Sequence, residues 1–199
     1  PKPKLYFINQ PILNAMATGR SPNHAAIAVT SGLLKHLNWN EVEGVISHEL
    51  SHVKNRDTLT STIAATIAGA IAYIAQIAWY SLFMGGNRRQ SGSLIFLPLV
   101  ILAPIAAMLI QLAITRTREF AADRAGAITS KKPLDLASAL EKISKVSKQH
   151  PIMGNDATAH LWIVNPFKGD LLMGLFSTHP PVEVRVQKLK ELAKELDKN

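Results

Sequence analysis

The sequence predicts a mainly helical α+β fold in a single domain, with a small antiparallel sheet at its N-terminal end and an inserted helical hairpin of membrane-spanning length. Three observations support this prediction. Short β-prone runs bounded by Pro and Gly occupy the first part of the chain. Apolar residues recur at helical spacing through most of the remaining sequence. Two long uncharged runs, residues 58–87 and 90–115, interrupt these amphipathic segments.

The composition limits the chemistry and the partners of the chain. It has 199 residues and no cysteine, which excludes disulfides and thiolate metal sites and fits a reducing compartment. The net charge of +8 comes from Lys and Arg residues that are scattered along the chain, without the basic stripe typical of nucleic-acid binding. We therefore expect a surface that lies against an anionic lipid bilayer, and no nucleic-acid partner.

The predicted strands are residues 5–8 and 25–30, separated by Pro and Gly. The second strand comes shortly before the most informative helix of the chain. A strand in that place can bind an extended peptide through the main chain of its free edge, here around Ala28 and Val29. An ordinary structural strand explains the same residues equally well.

A short helix is predicted over residues 32–37, followed by a longer one with a clear start signal. Asn38 is the expected N-cap, and Glu41 at the third helical position completes a capping box. The alternative start pairs Asn40 with Glu43 in the same way. Either choice begins the helix well before the residues that carry its chemistry.

His48, Glu49 and His52 form the pattern His-Glu-x-x-His on this helix. Residues four apart share one face, so both imidazoles can bind one metal ion while Glu49 lies at the edge of that face. Two imidazoles with an adjacent carboxylate base are typical of a zinc hydrolase. A chance match is the alternative, and it requires two residues of a rare type at this spacing.

The two uncharged runs predict transmembrane helices at about 59–84 and 94–115, because each run exceeds the roughly 20 residues needed to cross a bilayer core. Trp79 and Tyr80 lie near the end of the first helix, where amphipathic aromatic residues meet the lipid interface. The prolines of the second are tolerated in membrane helices. A pair of long core helices in a soluble domain is the alternative.

The charges that flank these runs predict their orientation. The loop between them carries Arg88 and Arg89, whereas more basic residues crowd the two outer ends. These are Lys54, Arg56, Arg116, Arg118 and Arg124. By the positive-inside rule the outer ends lie in the cytoplasm, and the His-Glu-x-x-His helix with them. The sequence thus predicts a multi-pass protein of the cytoplasmic membrane whose catalytic domain faces the cytoplasm.

A third metal ligand is needed, because catalytic zinc generally has three protein ligands and one open position. Glu119 directly follows the second apolar run and is the predicted third ligand. Asp123, one turn later on the same face, can accept a hydrogen bond from a ligand imidazole and so fix its tautomer. A solvated, salt-bridged helix face is the alternative for this pair.

The C-terminal part of the chain predicts two packing helices, over residues 134–146 and 182–196. His179, His160 and Arg185 are candidates for stabilising the oxyanion that develops during hydrolysis. A structural role is the alternative for each of them.

Taken together, these segments resemble the HtpX type of membrane-embedded zinc endopeptidases, relatives of the type I CAAX prenyl proteases. The resemblance lies in residues 43–57 and 116–124, and also in the runs 14–19 and 177–181. It implies a zincin-like metalloprotease domain that covers nearly the whole chain and that two further membrane helices precede in the family. Because the chain starts at Pro1 without an initiator Met, we expect that this N-terminal membrane region is missing.

The resemblance also implies roles for individual residues. His48, His52 and Glu119 would bind one Zn²⁺, Glu49 would be the general base, and Asp123 would orient His48. The implied substrates are misfolded or damaged membrane proteins, in protein quality control under stress. The rival hypothesis is a non-catalytic membrane scaffold with a structural zinc, which would require a fourth protein ligand and have no use for a base beside the metal.

Overall fold

A computed structural model describes residues 2–84, 97–149, 162–163 and 179–198. Within these residues the chain is mainly helical with one small sheet, as the sequence predicts. The strands are β1 (Lys4–Ile8), β2 (Ala15–Ser21) and β3 (His24–Thr30). The helices are α1 (Ser31–His36), α2 (Trp39–Lys54), α3 (Asp57–Met84), α4 (Leu97–Ser130), α5 (Pro133–Gln149) and α6 (Val182–Leu196).

The sheet is mixed, so the predicted antiparallel arrangement is wrong for one of its two pairings. The strand order is β1-β3-β2, with β1 parallel to β3 and β2 antiparallel to it. Strand β2 was not predicted, because Gly19 and its polar neighbours resemble a turn. It forms a hairpin with β3 in which Ser21 pairs with His24. Strand β1 therefore joins β3 on the opposite side, in parallel.

The position of β3 in the middle of the sheet changes the expected peptide site. Residues 26–30 pair with β1 along one edge, and residues 24–29 pair with β2 along the other. Ala28 and Val29 thus have no free edge, and the prediction that their main chain binds a peptide is wrong. On the side of β3 away from β1, strand β2 forms the edge of the sheet.

Helix α2 begins at the predicted capping box. The Asn38 side chain accepts a hydrogen bond from Glu41 N at 2.9 Å, and the Glu41 carboxylate accepts one from Asn38 N at 2.9 Å. The Glu41 side chain is almost fully buried, where it also accepts hydrogen bonds from Ser138 and Lys142 of α5. Burial opposes its ionisation, yet these hydrogen bonds hold the pKa of Glu41 below its usual value. The cap therefore fixes both the start of α2 and its contact with α5.

The core packs one face of the sheet against α1, α2, α5 and α6. Its largest fully buried apolar side chains come from β3, α1, α5 and α6. They are Ile27, Leu33, Leu136, Leu140, Ile143 and Leu189. His48 and His52 follow the core residue Val45 by three and seven positions, so both imidazoles lie on the same side of α2 and the metal site adjoins the core.

The chain divides into two compact units, Pro1–Leu59 with Thr115–Asn199, and Thr60–Ile114. In the second unit, α3 and α4 are long and apolar enough to cross a membrane. Only 0% and 6% of their most hydrophobic windows are buried, so the alternative of two core helices does not fit the described residues. Helix α4 runs past Pro104 without a break and ends at Ser130. Its C-terminal part belongs to the first unit and carries Glu119 and Asp123.

Candidate metal centre

Helix α2 presents its two imidazoles one turn apart, as their spacing predicts. The Nε2 atoms of His48 and His52 lie 3.1 Å apart, and the rings meet edge to face with their centroids 4.7 Å apart. His48 is buried, whereas the His52 side chain keeps 21% of its surface exposed. The two nitrogens therefore point at a common place, which solvent can reach from the His52 side.

Helix α4 adds the predicted third donor. Glu119 Oε2 lies 3.8 Å from His48 Nε2, and Glu119 Oε1 lies 3.4 Å from His52 Nε2. A glycine allows this approach, because a Cβ atom built on Gly126 would lie 2.7 Å from His48 N. A larger residue there would push α4 away from α2 and carry Glu119 with it.

The geometry of this trio fits a metal ion. One donor atom from each of His48, His52 and Glu119 lies within 4.8 Å of the other two. Two ligand atoms at the usual zinc distances and a tetrahedral angle would lie about 3.3 Å apart. The two imidazole nitrogens, at 3.1 Å, and Glu119 Oε1 with His52 Nε2, at 3.4 Å, are close to that value, whereas Glu119 approaches His48 with its other oxygen, at 3.8 Å. With two nitrogen donors and one carboxylate, the set matches catalytic zinc sites that keep a fourth position open.

The charges around the trio also favour a divalent cation. Four buried carboxylates surround the site, and two guanidinium groups accompany them, which leaves two net negative charges. The carboxylates belong to Glu49, Asp57, Glu119 and Asp123, and the guanidinium groups to Arg118 and Arg185. A divalent cation neutralises this excess.

His48 is supported by the predicted carboxylate. Its Nδ1 atom lies 2.9 Å from Asp123 Oδ1, and Asp123 in turn is held by two hydrogen bonds of 2.7 Å from the Arg185 guanidinium. Burial alone would raise the pKa of Asp123, but Arg185 and His48 outweigh it and lower the pKa to about 2. An ionised carboxylate at Nδ1 favours the tautomer that presents the Nε2 lone pair to the metal.

His52 has a matching support that sequence reasoning missed. Its Nδ1 atom lies 2.6 Å from Asp57 Oδ2, and Asp57 Oδ1 lies 3.1 Å from Arg118 Nε. Asp57 follows His52 by only five residues, and this short separation was the available signal that its carboxylate could contact the imidazole. The chain turns back between the two residues, and that turn was not foreseen.

Glu119 also contacts two basic side chains, and one of them, Arg185, lies 3.5 Å from His48 Nε2 through its Nη2 atom. The Glu119 Oε2 atom lies 3.1 Å from His179 Nδ1 and 3.3 Å from Arg185 Nη1. Burial would raise the pKa of Glu119, but His179, Arg185 and His48 together hold it well below its usual value. The structure thus brings His179 and Arg185 to the site as contacts of Glu119, and His160 lies outside the described residues.

Glu49 lies beside the trio and touches the sheet. It is buried, and its Oε2 atom accepts a hydrogen bond of 2.8 Å from Ala17 N in β2. This N–H points away from β3, so β2 turns a free edge toward Glu49. A small cavity of about 20 Å³ lies between β2 and the end of α2, lined in part by Ala17, Thr18, Gly19 and His52.

A second, much larger cavity lies elsewhere. It measures about 740 Å³ and lies between α5 and α6, with Lys, Glu and Val among its lining side chains. None of the metal or carboxylate residues of the site lines it. Its size therefore does not mark the place of the chemistry.

Comparisons with known proteins identify the family of the chain. Residues 1–193 match peptidase family M48. The chain is 51% identical over 210 residues to a protease HtpX homolog of Sulfurihydrogenibium sp. strain YO3AOP1. That match covers 98% of this chain and 70% of that protein. It is 54% identical over 200 residues to a protease HtpX homolog of Pyrococcus furiosus, a match that covers 98% of this chain and 69% of that protein.

Among solved structures, the fold is similar to that of S. mikatae Ste24p, with a TM-score of 0.62 and 18% identity. That match covers 94% of this chain and 46% of Ste24p, so the chain spans less than half of that protein and shares its fold. The family match covers nearly the whole sequence, and about half of the residues are identical to those of the HtpX homologs. The chain therefore belongs to peptidase family M48 and is a metalloendopeptidase of the HtpX type.

Proposed function

We propose that the chain hydrolyses peptide bonds with one zinc ion at the cytoplasmic face of a membrane. The observation that carries this proposal is the meeting of His48, His52 and Glu119, with the Glu49 carboxylate beside them. Family membership indicates the class of reaction, and the two nitrogen donors with one carboxylate support zinc as the metal.

His48, His52 and Glu119 would hold the zinc. When bound, the ion supplies a Lewis acid that activates water and polarises a carbonyl group. The protein's part is to aim the three donors at one point, through the carboxylates behind both imidazoles and through His179 and Arg185 beside Glu119.

Glu49 is the proposed general base. The hydrogen bond from Ala17 N fixes Glu49 Oε2, so the carboxylate is held beside the metal ligands in one orientation. It takes a proton from the attacking water and passes it to the amine that leaves. Because the residue is buried, bulk water has little access to its carboxylate.

The edge of β2 is the proposed site for the peptide, in place of Ala28 and Val29. An extended substrate that pairs with this edge would form main-chain hydrogen bonds near Ala17 and place its backbone beside Glu49. Such pairing recognises the backbone and not particular side chains. It therefore suits an endopeptidase that cleaves unfolded segments of varied sequence.

His179 is the proposed donor to the oxyanion. It is mostly buried and lies 3.1 Å from a ligand oxygen, so a carbonyl oxygen at the metal would be within its reach. Arg185 is instead engaged with Asp123 and with the main chain of Ile163, which favours the structural role for it.

The membrane part of the proposal rests on α3 and α4 and on the charges at their ends. Both helices are of spanning length and exposed, and the basic residues gather on the side of the catalytic motif. Substrates reach such a site from the cytoplasmic surface, so misfolded or damaged membrane proteins are the proposed targets. Purified enzyme should cleave unfolded membrane proteins faster than folded soluble ones, and the reverse preference would contradict this choice of substrate.

The mechanism is tested with Glu49→Gln, and with Glu43→Gln as the matched control on the exposed face of the same helix. Loss of a general base typically lowers the rate by about 10²–10⁴-fold. We expect Glu49→Gln to keep one zinc per chain and lose proteolysis by such a factor, while the control keeps both. A Glu49→Gln enzyme that cleaves as fast as the parent would favour the scaffold hypothesis, in which zinc is structural.

A further inference from the structure

We propose that Asp57 and Arg118 form a brace that positions His52 and strengthens zinc binding. This inference rests on the proposed zinc site and goes beyond it, because it names a support for the second imidazole. Asp57 would be a positioning residue, since it acts on the metal through His52 and touches no reacting group.

The contacts use both oxygens of one buried carboxylate. Asp57 is 7% exposed, its Oδ2 atom lies 2.6 Å from His52 Nδ1, and its Oδ1 atom lies 3.1 Å from Arg118 Nε. An ionised carboxylate can accept hydrogen bonds but cannot donate them, so the imidazole is the donor, through Nδ1. The Nε2 lone pair is then left facing His48 and Glu119, where a metal ion would lie.

The backbone between His52 and Asp57 is arranged to make this contact. On a continuous helix a residue five positions later points about 140° away, which would take Asp57 off the His52 face. Helix α2 instead ends at Lys54, and Arg56 adopts a left-handed conformation with φ of 55°. A non-glycine residue at positive φ is uncommon and costs on the order of 1 kcal/mol. Such local strain is consistent with a functional demand on the turn.

Arg118 connects the brace to the third ligand. It lies in α4 directly before Glu119, and its side chain reaches Asp57 at the start of α3. The position of His52 and the position of Glu119 are therefore set partly by the same ion pair. Loss of either partner should loosen the donor set as a whole.

A simpler role for Asp57 is to stabilise the N-terminus of α3, where an acidic residue is favourable. The two roles differ in what they predict for metal binding. A cap affects the stability of the helix and leaves the zinc affinity unchanged. A brace changes the zinc affinity even in a chain that is fully folded.

The test measures the zinc dissociation constant of the full chain in detergent, by competition with a chelator. The variants are Asp57→Asn and Asp57→Ala, with Glu43→Gln as the control for loss of an exposed carboxylate. Removing a carboxylate behind a ligand imidazole typically weakens metal binding by about 10–100-fold. We expect this loss for Asp57→Ala and a smaller one for Asp57→Asn, which keeps an acceptor and a good helix cap.

Arg118→Gln should weaken zinc binding by a few fold, and Arg118→Lys should restore part of the loss. The visible spectrum of the cobalt-substituted chain should change in Asp57→Ala, because the His52 ligand is no longer held in one orientation. If Asp57→Ala proves unstable, the isosteric Asp57→Asn variant still decides the matter. Melting temperatures measured in parallel show which variants are folded.

Parent-like zinc affinity and cobalt spectra in folded Asp57→Asn and Asp57→Ala would overturn the brace and leave the proposed zinc site standing. A parent chain that binds no zinc would overturn both. The two failures are thus distinguishable by the behaviour of the parent alone.

Discussion

The two halves of the metal site use the same chemistry in different surroundings. On the His48 side, imidazole, carboxylate and guanidinium come from α2, α4 and α6 and are all buried. On the His52 side, the carboxylate is five residues away in the chain, and the imidazole and guanidinium are partly exposed. We call the His48 side the buried half and the His52 side the exposed half. We expect the buried half to govern the stability of the fold, and the exposed half to govern the affinity for metal.

The largest effect is expected from Arg185→Met, which breaks the buried half. It leaves the ionised Asp123 without its two hydrogen bonds in a site that excludes water. Removing one partner of a buried ion pair typically destabilises a protein by about 3–5 kcal/mol. Denaturant unfolding of the metal-free chain measures the loss, and Arg118→Met in the exposed half should cost distinctly less. Equal losses in the two variants would contradict the comparison.

The next effect concerns the close approach of α4 to the buried half. In Gly126→Ala the new methyl group meets the His48 backbone, so the helices must separate. We expect a loss of about 1–3 kcal/mol, typical of overpacking, together with weaker zinc binding. The control is Gly69→Ala in α3, where a Cβ atom has no neighbour within 4 Å. If Gly126→Ala behaves like this control, the two helices are not held as closely as described.

The pH dependence of stability should also belong to the buried half. The pKa of Asp123 falls from its ordinary value of 3.8 to about 2 in the folded chain. A lowered pKa means that the ionised group stabilises the fold above about pH 4, and that this stabilisation is lost as the pH falls toward 2. For Asp123 the loss is roughly 2 kcal/mol.

The free energy of unfolding of the metal-free chain, measured between pH 5 and pH 2, gives the total loss of stability. In the Asp123→Asn variant, the part of this loss that is due to Asp123 should be absent. A variant with the same acid profile as the parent would show that other carboxylates account for the acid sensitivity. The pKa of Glu41 is also lowered, so Glu41→Gln gives the contribution of a carboxylate outside the metal site.

The smallest effect is expected in the exposed half, at the turn that brings Asp57 to His52. Arg56→Gly relieves the left-handed strain but adds freedom to the unfolded chain, so the two effects nearly cancel to within about 0.5 kcal/mol. Zinc affinity should stay at the parent level. Arg56→Val should instead destabilise the turn by about 1–2 kcal/mol, because a β-branched residue tolerates positive φ poorly. Thermal unfolding of both variants, with zinc titrations, checks this order.

Much of the fold was predictable because its signals are local. The capping box of Asn38 and Glu41 was one of two starts that the sequence offered for α2, and helical spacing predicted the observed bounds of α6. The meeting of His48, His52 and Glu119 followed from a pattern on one helix and a carboxylate after an apolar run. Each signal lies within a few neighbouring residues, although the two parts of the metal site are 67 positions apart in the sequence.

What could not be predicted depends on the path of the chain. The parallel pairing of β1 with β3 results from β2 taking the other edge, and nothing within β1 indicates it. Arg118 reaches Asp57 although 60 residues of mostly apolar chain lie between them. The left-handed residue at Arg56 has no sequence signal, since glycine is the usual choice at such a position.

The central claim is that the metal site closes only when Glu119 of α4 joins the two imidazoles of α2. The most direct test compares the zinc content of the parent and of Glu119→Gln after identical dialysis, with circular dichroism to show that both are folded. We predict one zinc per chain in the parent and well under one in the variant, because a neutral amide is a poor zinc ligand. One zinc per chain in both, with equal affinity, would contradict the claim.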